Sequence, residues 1–170
     1  MKSKYTLAII TLSDKGYKNE RVDTSGPLIK EIMEKTEKYT TVSEEILPDI
    51  FDTLKDKLIY LTDTENVNLV LTTGGTGLSS RDITPEATLA ISEKNVPGIS
   101  EAMRMNSLKI THRAMLSRGI SVIRKKTLII NLPGSPKAVK ENLEFILPAL
   151  DHGLGILLNL ENECGKESVR

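Results

Sequence analysis

The chain has 170 residues, 23 basic side chains balanced by 23 acidic ones, two Phe, four Tyr and no Trp. That length suits one domain with a buried core, and the even charge and sparse aromatics argue against a nucleic-acid surface. One Cys and two His leave no internal disulfide and point to no zinc site, and no apolar run approaches a membrane span, so a soluble, cytoplasmic protein is expected.

Residues 6–12 (TLAIITL) form a continuous apolar run with β-branched members, which reads as a strand buried on both faces. Ser13-Asp14-Lys15-Gly16 closes it as a turn, and a polar loop holding Asp23 and Thr24 runs on to Gly26. Ser25-Gly26-Pro27 reads as a helix start with Pro27 in the first position, where its missing N–H costs nothing. Leu28, Ile29, Ile32 and Met33 form the buried stripe of that helix. Residues 40–47 alternate as a second strand and end at Pro48-Asp49. Asp49 is then expected to cap a helix whose stripe is Ile50, Leu54, Leu58 and Leu61.

A third buried strand, Leu69-Val70-Leu71, runs towards Gly74-Gly75-Thr76-Gly77. Three glycines in four positions strip side-chain bulk from the carboxyl end of that strand, where open α/β sheets bind ligands. A polar loop carrying Ser79, Ser80, Arg81 and Asp82 follows, and a helix starts at Thr84-Pro85-Glu86. Strand, glycine loop and helix start together let backbone N–H groups close around an anion. No Lys follows Gly77, so this is not a Walker A loop. Gly75, Gly77 and Ser80 imitate a dinucleotide fingerprint, but the helix waits until Thr84. The competing reading is a tight turn whose glycines only supply positive φ. With three strand–helix alternations the chain is predicted to be α/β, with a largely parallel sheet.

Pro97-Gly98 interrupts the pattern, and residues 99–108 resume it with Ala102 and Met103 inward. Residues 111–118 are irregular, with His112 an exposed loop residue. Residues 120–123 and 128–130 flank Arg124-Lys125-Lys126 as a hairpin. Leu132-Pro133-Gly134-Ser135-Pro136-Lys137 leads into a last helix, with Ser135 as N-cap, Pro136 in the first position and Val139, Leu143, Ile146 and Leu150 as the stripe. A Gly-Ser loop at a helix N-terminus beside Lys137 suits a second anionic group, a good cap being the plainer alternative. Residues 161–170 read as a polar, frayed tail to a single domain spanning 1–170, with no repeats or linkers.

The predicted sheet edge therefore collects a glycine cradle, Arg81, Asp82, Asp49, Ser135 and Lys137. Backbone donors and two cations suit a polyphosphate, and two carboxylates suit a divalent cation bridging its oxygens. No Ser-His-Asp set and no reactive Cys stand beside them. The chemistry left open is phosphoryl or nucleotidyl transfer, where positioning and charge stabilisation do most of the catalysis.

These residues carry a resemblance. Thr72-Thr73-Gly74-Gly75-Thr76-Gly77 followed by Arg81-Asp82-Ile83-Thr84-Pro85-Glu86-Ala87 resembles the signature of the molybdopterin adenylyltransferase family, which includes the G domain of gephyrin. Ser13-Asp14, Asp23-Thr24-Ser25-Gly26, Pro97-Gly98, Met115-Leu116-Ser117-Arg118 and the stretch from Leu128 to Ser135 are similar to its other motifs in the same order. The resemblance implies a three-layer α/β/α sandwich with a mostly parallel central sheet, usually trimeric. It implies transfer of AMP from Mg-ATP to the phosphate of molybdopterin, loss of pyrophosphate, and hand-off of the product to a metal-insertase protein. Asp82 falls on the family's catalytic aspartate and Asp49 on that of its Pro-Asp motif, and the two are the implied Mg²⁺ ligands. Thr73, Gly74, Gly75, Thr76, Gly77 and Arg81 fall in the ligand-cradling loop. Ser13, Asp14, Ser117, Gly134, Ser135 and Lys137 complete the implied substrate and nucleotide pocket. Ile50 stands where the family often has a second acidic residue, and Lys125 where its hairpin often has Gly. A pterin carrier without chemistry and a scaffold are the alternatives. Retention of both Asp49 and Asp82 favours the enzyme, because a pure binder has little reason to bury acids beside an anion.

Overall fold

The structure is a computed structural model that describes residues 5–160; Cys164 and the tail read at 161–170 lie outside the described residues. Strands β1 (Tyr5–Leu12), β2 (Tyr39–Leu47), β3 (Leu69–Thr73), β4 (Lys94–Asn95), β5 (Ser121–Arg124) and β6 (Thr127–Leu132) form one six-stranded sheet in the order β2-β1-β3-β6-β5-β4. The pairs β1–β2, β1–β3 and β3–β6 are parallel, and β5 runs antiparallel to both β6 and β4. The helices are α1 (Asp14–Tyr17), α2 (Ser25–Glu34), α3 (Phe51–Asp63), α4 (Thr84–Ala90), α5 (Pro97–Leu108) and α6 (Pro136–Leu157), with a 3₁₀ turn at His112–Leu116.

Two apolar clusters, one on each face of the sheet, explain the unbroken hydrophobic runs. Leu7 and Ile9 of β1 pack with Ile29 and Met33 of α2, Met103 of α5, and Val139, Leu143 and Leu150 of α6. Ala8, Ile10 and Leu12 point the other way, against Leu54, Leu58 and Leu61 of α3 and Ala87 of α4. Successive side chains on a strand alternate between faces, so a strand covered on both sides must be apolar at every position. Each fully buried Leu or Ile contributes roughly 1.5–3 kcal/mol relative to exposure.

Several local expectations are corrected. α2 begins at Ser25, so Pro27 is its third residue rather than its first. Asp23 precedes it, and its Oδ1 accepts the N–H groups of Ser25 (2.9 Å) and Gly26 (3.2 Å). Ile50 is 48% exposed and does not join the α3 stripe, and α3 has Ile50, not Asp49, at its N-cap position with no side-chain cap. Ser13-Asp14-Lys15-Gly16 is a short helix rather than a turn, capped by Ser13 Oγ accepting the Gly16 N–H at 3.0 Å. β4 is two exposed residues long and pairs with Val122 and Ile123. The hairpin is present, with Lys125 at φ 50 where a Gly would be unstrained.

The register sets the site. Thr11 lies opposite Thr73, Thr73 opposite Leu132, and Leu12 opposite Leu47. Four parallel strands therefore end on one edge and release Ser13, Asp49, Gly74 and Pro133 together. The chain leaves β1 for α2 on one face and β3 for α4 on the other. β1 and β3 are neighbours, so their loops part and open a crevice at the point where the strand order reverses.

Candidate active site

The glycine loop is built by backbone demands on both sides. Gly74 (φ +94) and Gly75 (φ +65) are left-handed, and a Cβ would fall 2.5 Å from the Leu12 carbonyl oxygen at the first and 2.3 Å from Thr84 Oγ1 at the second. Thr84 ties the loop to α4: its Oγ1 donates to the Gly74 carbonyl at 2.9 Å and its N–H to the Gly75 carbonyl at 3.1 Å. Gly134 lies against Gly74, so that a Cβ on it would sit 3.3 Å from the Gly74 Cα. Thr73 Oγ1 donates to the Pro133 carbonyl (2.7 Å) and Ser25 Oγ to the Gly134 carbonyl (2.9 Å). The two glycine-containing loops are thus one rigid unit. Positive φ accounts for Gly74 and Gly75, but Gly77 is not left-handed; a Cβ there would come within 2.9 Å of Asp82 Oδ2.

Three carboxylates surround this unit. Asp14 and Asp49 exchange backbone bonds: the Asp14 N–H donates to Asp49 Oδ2 and the Asp49 N–H to Asp14 Oδ1, each at 3.0 Å. This pairing is what replaces the capping role expected of Asp49. Arg81 reaches back from the glycine loop, its Nε (3.1 Å) and Nη2 (2.6 Å) both donating to Asp14 Oδ2. The Arg81 guanidinium holds the Asp14 carboxyl below its ordinary range. Burial pushes the Asp49 carboxyl up, and the negative charges of Asp14 and Asp82 add to that. Asp49 Oδ1 faces the loop, 3.3 Å from where a Gly75 Cβ would stand. Asp82 Oδ2 accepts the Ser79 N–H at 2.9 Å, closing the turn that carries it.

Two cavities open beside the loops. One, of about 260 Å³, is lined by Ser13, Thr24, Ser25, Thr73, Gly74, Gly134 and Ser135 among others. The other, of about 290 Å³, lies between α5, the 3₁₀ turn and α6, with Arg104, Ser107, Arg113, Ser117, Asn131, Ser135 and Asn142 on its walls. Ser135 lines both, and its Oγ caps α6 by accepting the Ala138 N–H at 3.2 Å. Thr76 is buried, and its carbonyl accepts the Arg118 N–H at 2.9 Å. Lys137 stands apart: its side chain is 80% exposed, its amine is 4.0 Å from Glu141, and it is not among the described residues lining either cavity.

The second cavity was not foreseen. Ser100, Met103, Arg104 and Ser107 share one face of α5 and point into it. Their i, i+3, i+4, i+7 spacing was the available signal, since polar residues at inward positions of a helix line something. Arg104 Nη1 is steadied by the Gly119 carbonyl at 2.8 Å. Among the described residues no group of three or more His, Cys, Asp or Glu side chains is arranged to hold a metal unaided. A hard cation here needs phosphate oxygens to complete its shell, which suits Mg²⁺ held by one or two carboxylates.

Asp49→Asn is expected to leave the fold intact, because the amide oxygen still accepts the Asp14 N–H. A carboxyl raised on folding disfavours the folded state once it is ionised. The variant should therefore melt at or slightly above the wild-type temperature at neutral pH. Wild type should gain on it as pH falls through the raised Asp49 value. Melting curves across pH check this, and a variant far less stable at pH 7 would show that the carboxylate charge is structural.

Fold and crevice together define an α/β protein with a glycine-built crevice at the strand-order switch. The family described as the probable molybdopterin binding domain matches residues 8–152. A molybdopterin adenylyltransferase from Helicobacter pylori is 39% identical over 167 residues, covering 96% of this chain and 94% of that protein. The Escherichia coli protein of the same name is 40% identical over 146 residues, covering 84% and 74%. The crystal structure of the molybdopterin biosynthesis enzyme MoaB from Thermus thermophilus superposes with a TM-score of 0.86 at 42% identity, covering 91% of this chain and 97% of that one. The chain belongs to this molybdopterin-binding family. It also matches the Drosophila melanogaster molybdenum cofactor synthesis protein cinnamon, of which it spans 25%.

Proposed function

We propose that this chain is a molybdopterin adenylyltransferase. It joins the AMP moiety of ATP to the phosphate of molybdopterin and releases pyrophosphate. The observation that carries the reading is that Asp49 and Asp82 lie against Gly75 and Gly77 of the glycine loop, whose Gly74 lines one of two cavities that share Ser135. A phosphate oxygen of the pterin attacks the α-phosphorus, the bond to the β-phosphate oxygen breaks, and pyrophosphate departs with the electron pair.

In this reading the N–H groups of the glycine loop orient the phosphates, and Ser135 stands between the nucleotide and the pterin. Ser13, Thr73, Gly134 and Ser117 line the path, and Arg81 is placed to exchange Asp14 for a phosphate oxygen. Asp49 and Asp82 would hold Mg²⁺, which when bound neutralises charge on the phosphate oxygens. A carrier that never reacts has less use for a half-buried Asp49 whose burial disfavours its charge beside an anion site. The same reading carries a homotrimer, hand-off to a metal-insertase protein and a cytoplasmic location. An apolar groove between α5 and α6, lined by Ile99, Ala102, Phe145 and Ala149, offers a surface for subunit contact, and sedimentation measures the assembly. Among the described residues no helix is long and apolar enough to cross a membrane.

The test is pyrophosphate release from Mg-ATP. It is expected only when molybdopterin is added, with adenylated pterin as the second product. Tight pterin binding without pyrophosphate release would replace the enzyme by the carrier.

A further inference from the structure

One cation outside both cavities is tied to the glycine loop and the turn after it by several hydrogen bonds. Arg118 follows the 3₁₀ turn, and its N–H donates to the Thr76 carbonyl at 2.9 Å. Its side chain spreads over both ends of the exposed stretch that follows Gly77. Nε donates to the Gly77 carbonyl at 2.6 Å, Nη2 to the Asp82 carbonyl at 2.8 Å, and Nη1 pairs with Glu86 of α4. Leu78, Ser79, Ser80 and Arg81 between those ends are exposed, so no core packing holds their shape. Within the stretch the ties are short-range: the Asp82 N–H to the Ser79 carbonyl (3.0 Å) and the Ser79 N–H to Asp82 Oδ2 (2.9 Å). Two links refer this small turn to the rest of the protein: the exposed Arg81 side chain, which reaches Asp14, and Arg118, which holds the backbone carbonyls at both ends. A planar guanidinium with donors fixed in a fork can span two carbonyls and a carboxylate at once, and an ammonium cannot.

We propose that Arg118 is a positioning residue for the transfer reaction: it clamps the Gly77 and Asp82 carbonyls so that the Asp82 carboxylate is held towards the crevice. The inference rests on the adenylyltransferase reading, and it assigns Arg118 no contact with substrate. Glu86 in turn orients Arg118. A misplacement of about 1 Å in a reacting group can cost on the order of 10²-fold in rate, so a loosened clamp should be visible in turnover well before it is visible in folding.

The experiment compares wild type, Arg118→Lys, Asp82→Asn and the double variant, with Glu86→Gln as a milder perturbation should Arg118→Lys fold poorly. Arg118→Lys is expected to lower kcat by roughly 10- to 10²-fold, with KM for both substrates within about twofold. Glu86→Gln should fall between it and wild type. In the Asp82→Asn background Arg118→Lys should add little, because residues acting as one unit are not additive. Deuterium exchange at the Ser79 and Asp82 amides of the ligand-free variant should rise while core strands stay protected. Multiplying losses in the double variant, or unchanged kcat with unchanged loop exchange, would overturn the proposal. If wild type itself transfers no AMP, the functional reading falls instead. Loop exchange then decides alone whether Arg118 is the clamp.

Discussion

Asp82→Asn is expected to cut AMP transfer on the order of 10²-fold or more while leaving the melting curve nearly unchanged. The carboxylate Oδ2 accepts the Ser79 N–H at 2.9 Å, and an amide oxygen in the same place keeps that bond and the turn it closes. What is lost is one negative charge beside Gly77 of the glycine loop, close enough to Asp49 to act on it. A charge that contacts the phosphates or their cation mainly in the transition state appears in kcat rather than KM. Steady-state kinetics with thermal melting on the same sample decide the matter. A variant with wild-type turnover would reduce Asp82 to a turn residue and remove it from the proposed site.

Gly75→Val should produce a large loss of stability together with a loss of pterin binding. The native φ of +65 is one that β-branched residues rarely adopt, and a Cβ would fall 2.3 Å from Thr84 Oγ1. Thr84 cannot easily yield, because it is fully buried and holds both the Gly74 and Gly75 carbonyls. Backbone strain with a clash of this kind costs roughly 2–4 kcal/mol, which in a chain of this size lowers Tm by roughly 5–15 °C. Pterin affinity should fall too, since the same Cβ points at Asp49 Oδ1. Calorimetry and a pterin titration below the new Tm read the two effects separately. Wild-type Tm with wild-type affinity would place the ligand elsewhere and show that the loop tolerates a side chain.

Residues whose conformation is imposed by their own neighbours in sequence were readable. Ser135 is an N-cap and Pro136 the first helical residue; the glycine run follows a buried strand and precedes a helix starting at Thr84. The hairpin at residues 121–132 was readable despite Lys125, because apolar β-branched runs flank a polar turn. Asp49 shows where such reading ends. The Pro-Asp context predicts a cap, and Asn or Asp before a helical stripe usually is one. Here its partner is the backbone of Asp14, 35 residues away, available only because β1 and β2 end side by side.

By itself the amino-acid sequence determined the alternation of strands and helices, the faces they bury and the positions where only glycine fits, because periodicity, capping and steric freedom act over a few residues. It also carried the family motifs, and with them the cluster of acidic and glycine positions. The tertiary structure decided which polar groups meet. Arg81 binds Asp14 across 67 residues and Arg118 binds Gly77 across 41. Ser135 comes to separate two cavities, while Lys137, two residues on, points away to solvent. A charged side chain is long, flexible and compatible with many partners, so its local context selects none of them. The choice falls to strand order and register, which bring distant loop ends to one edge of the sheet.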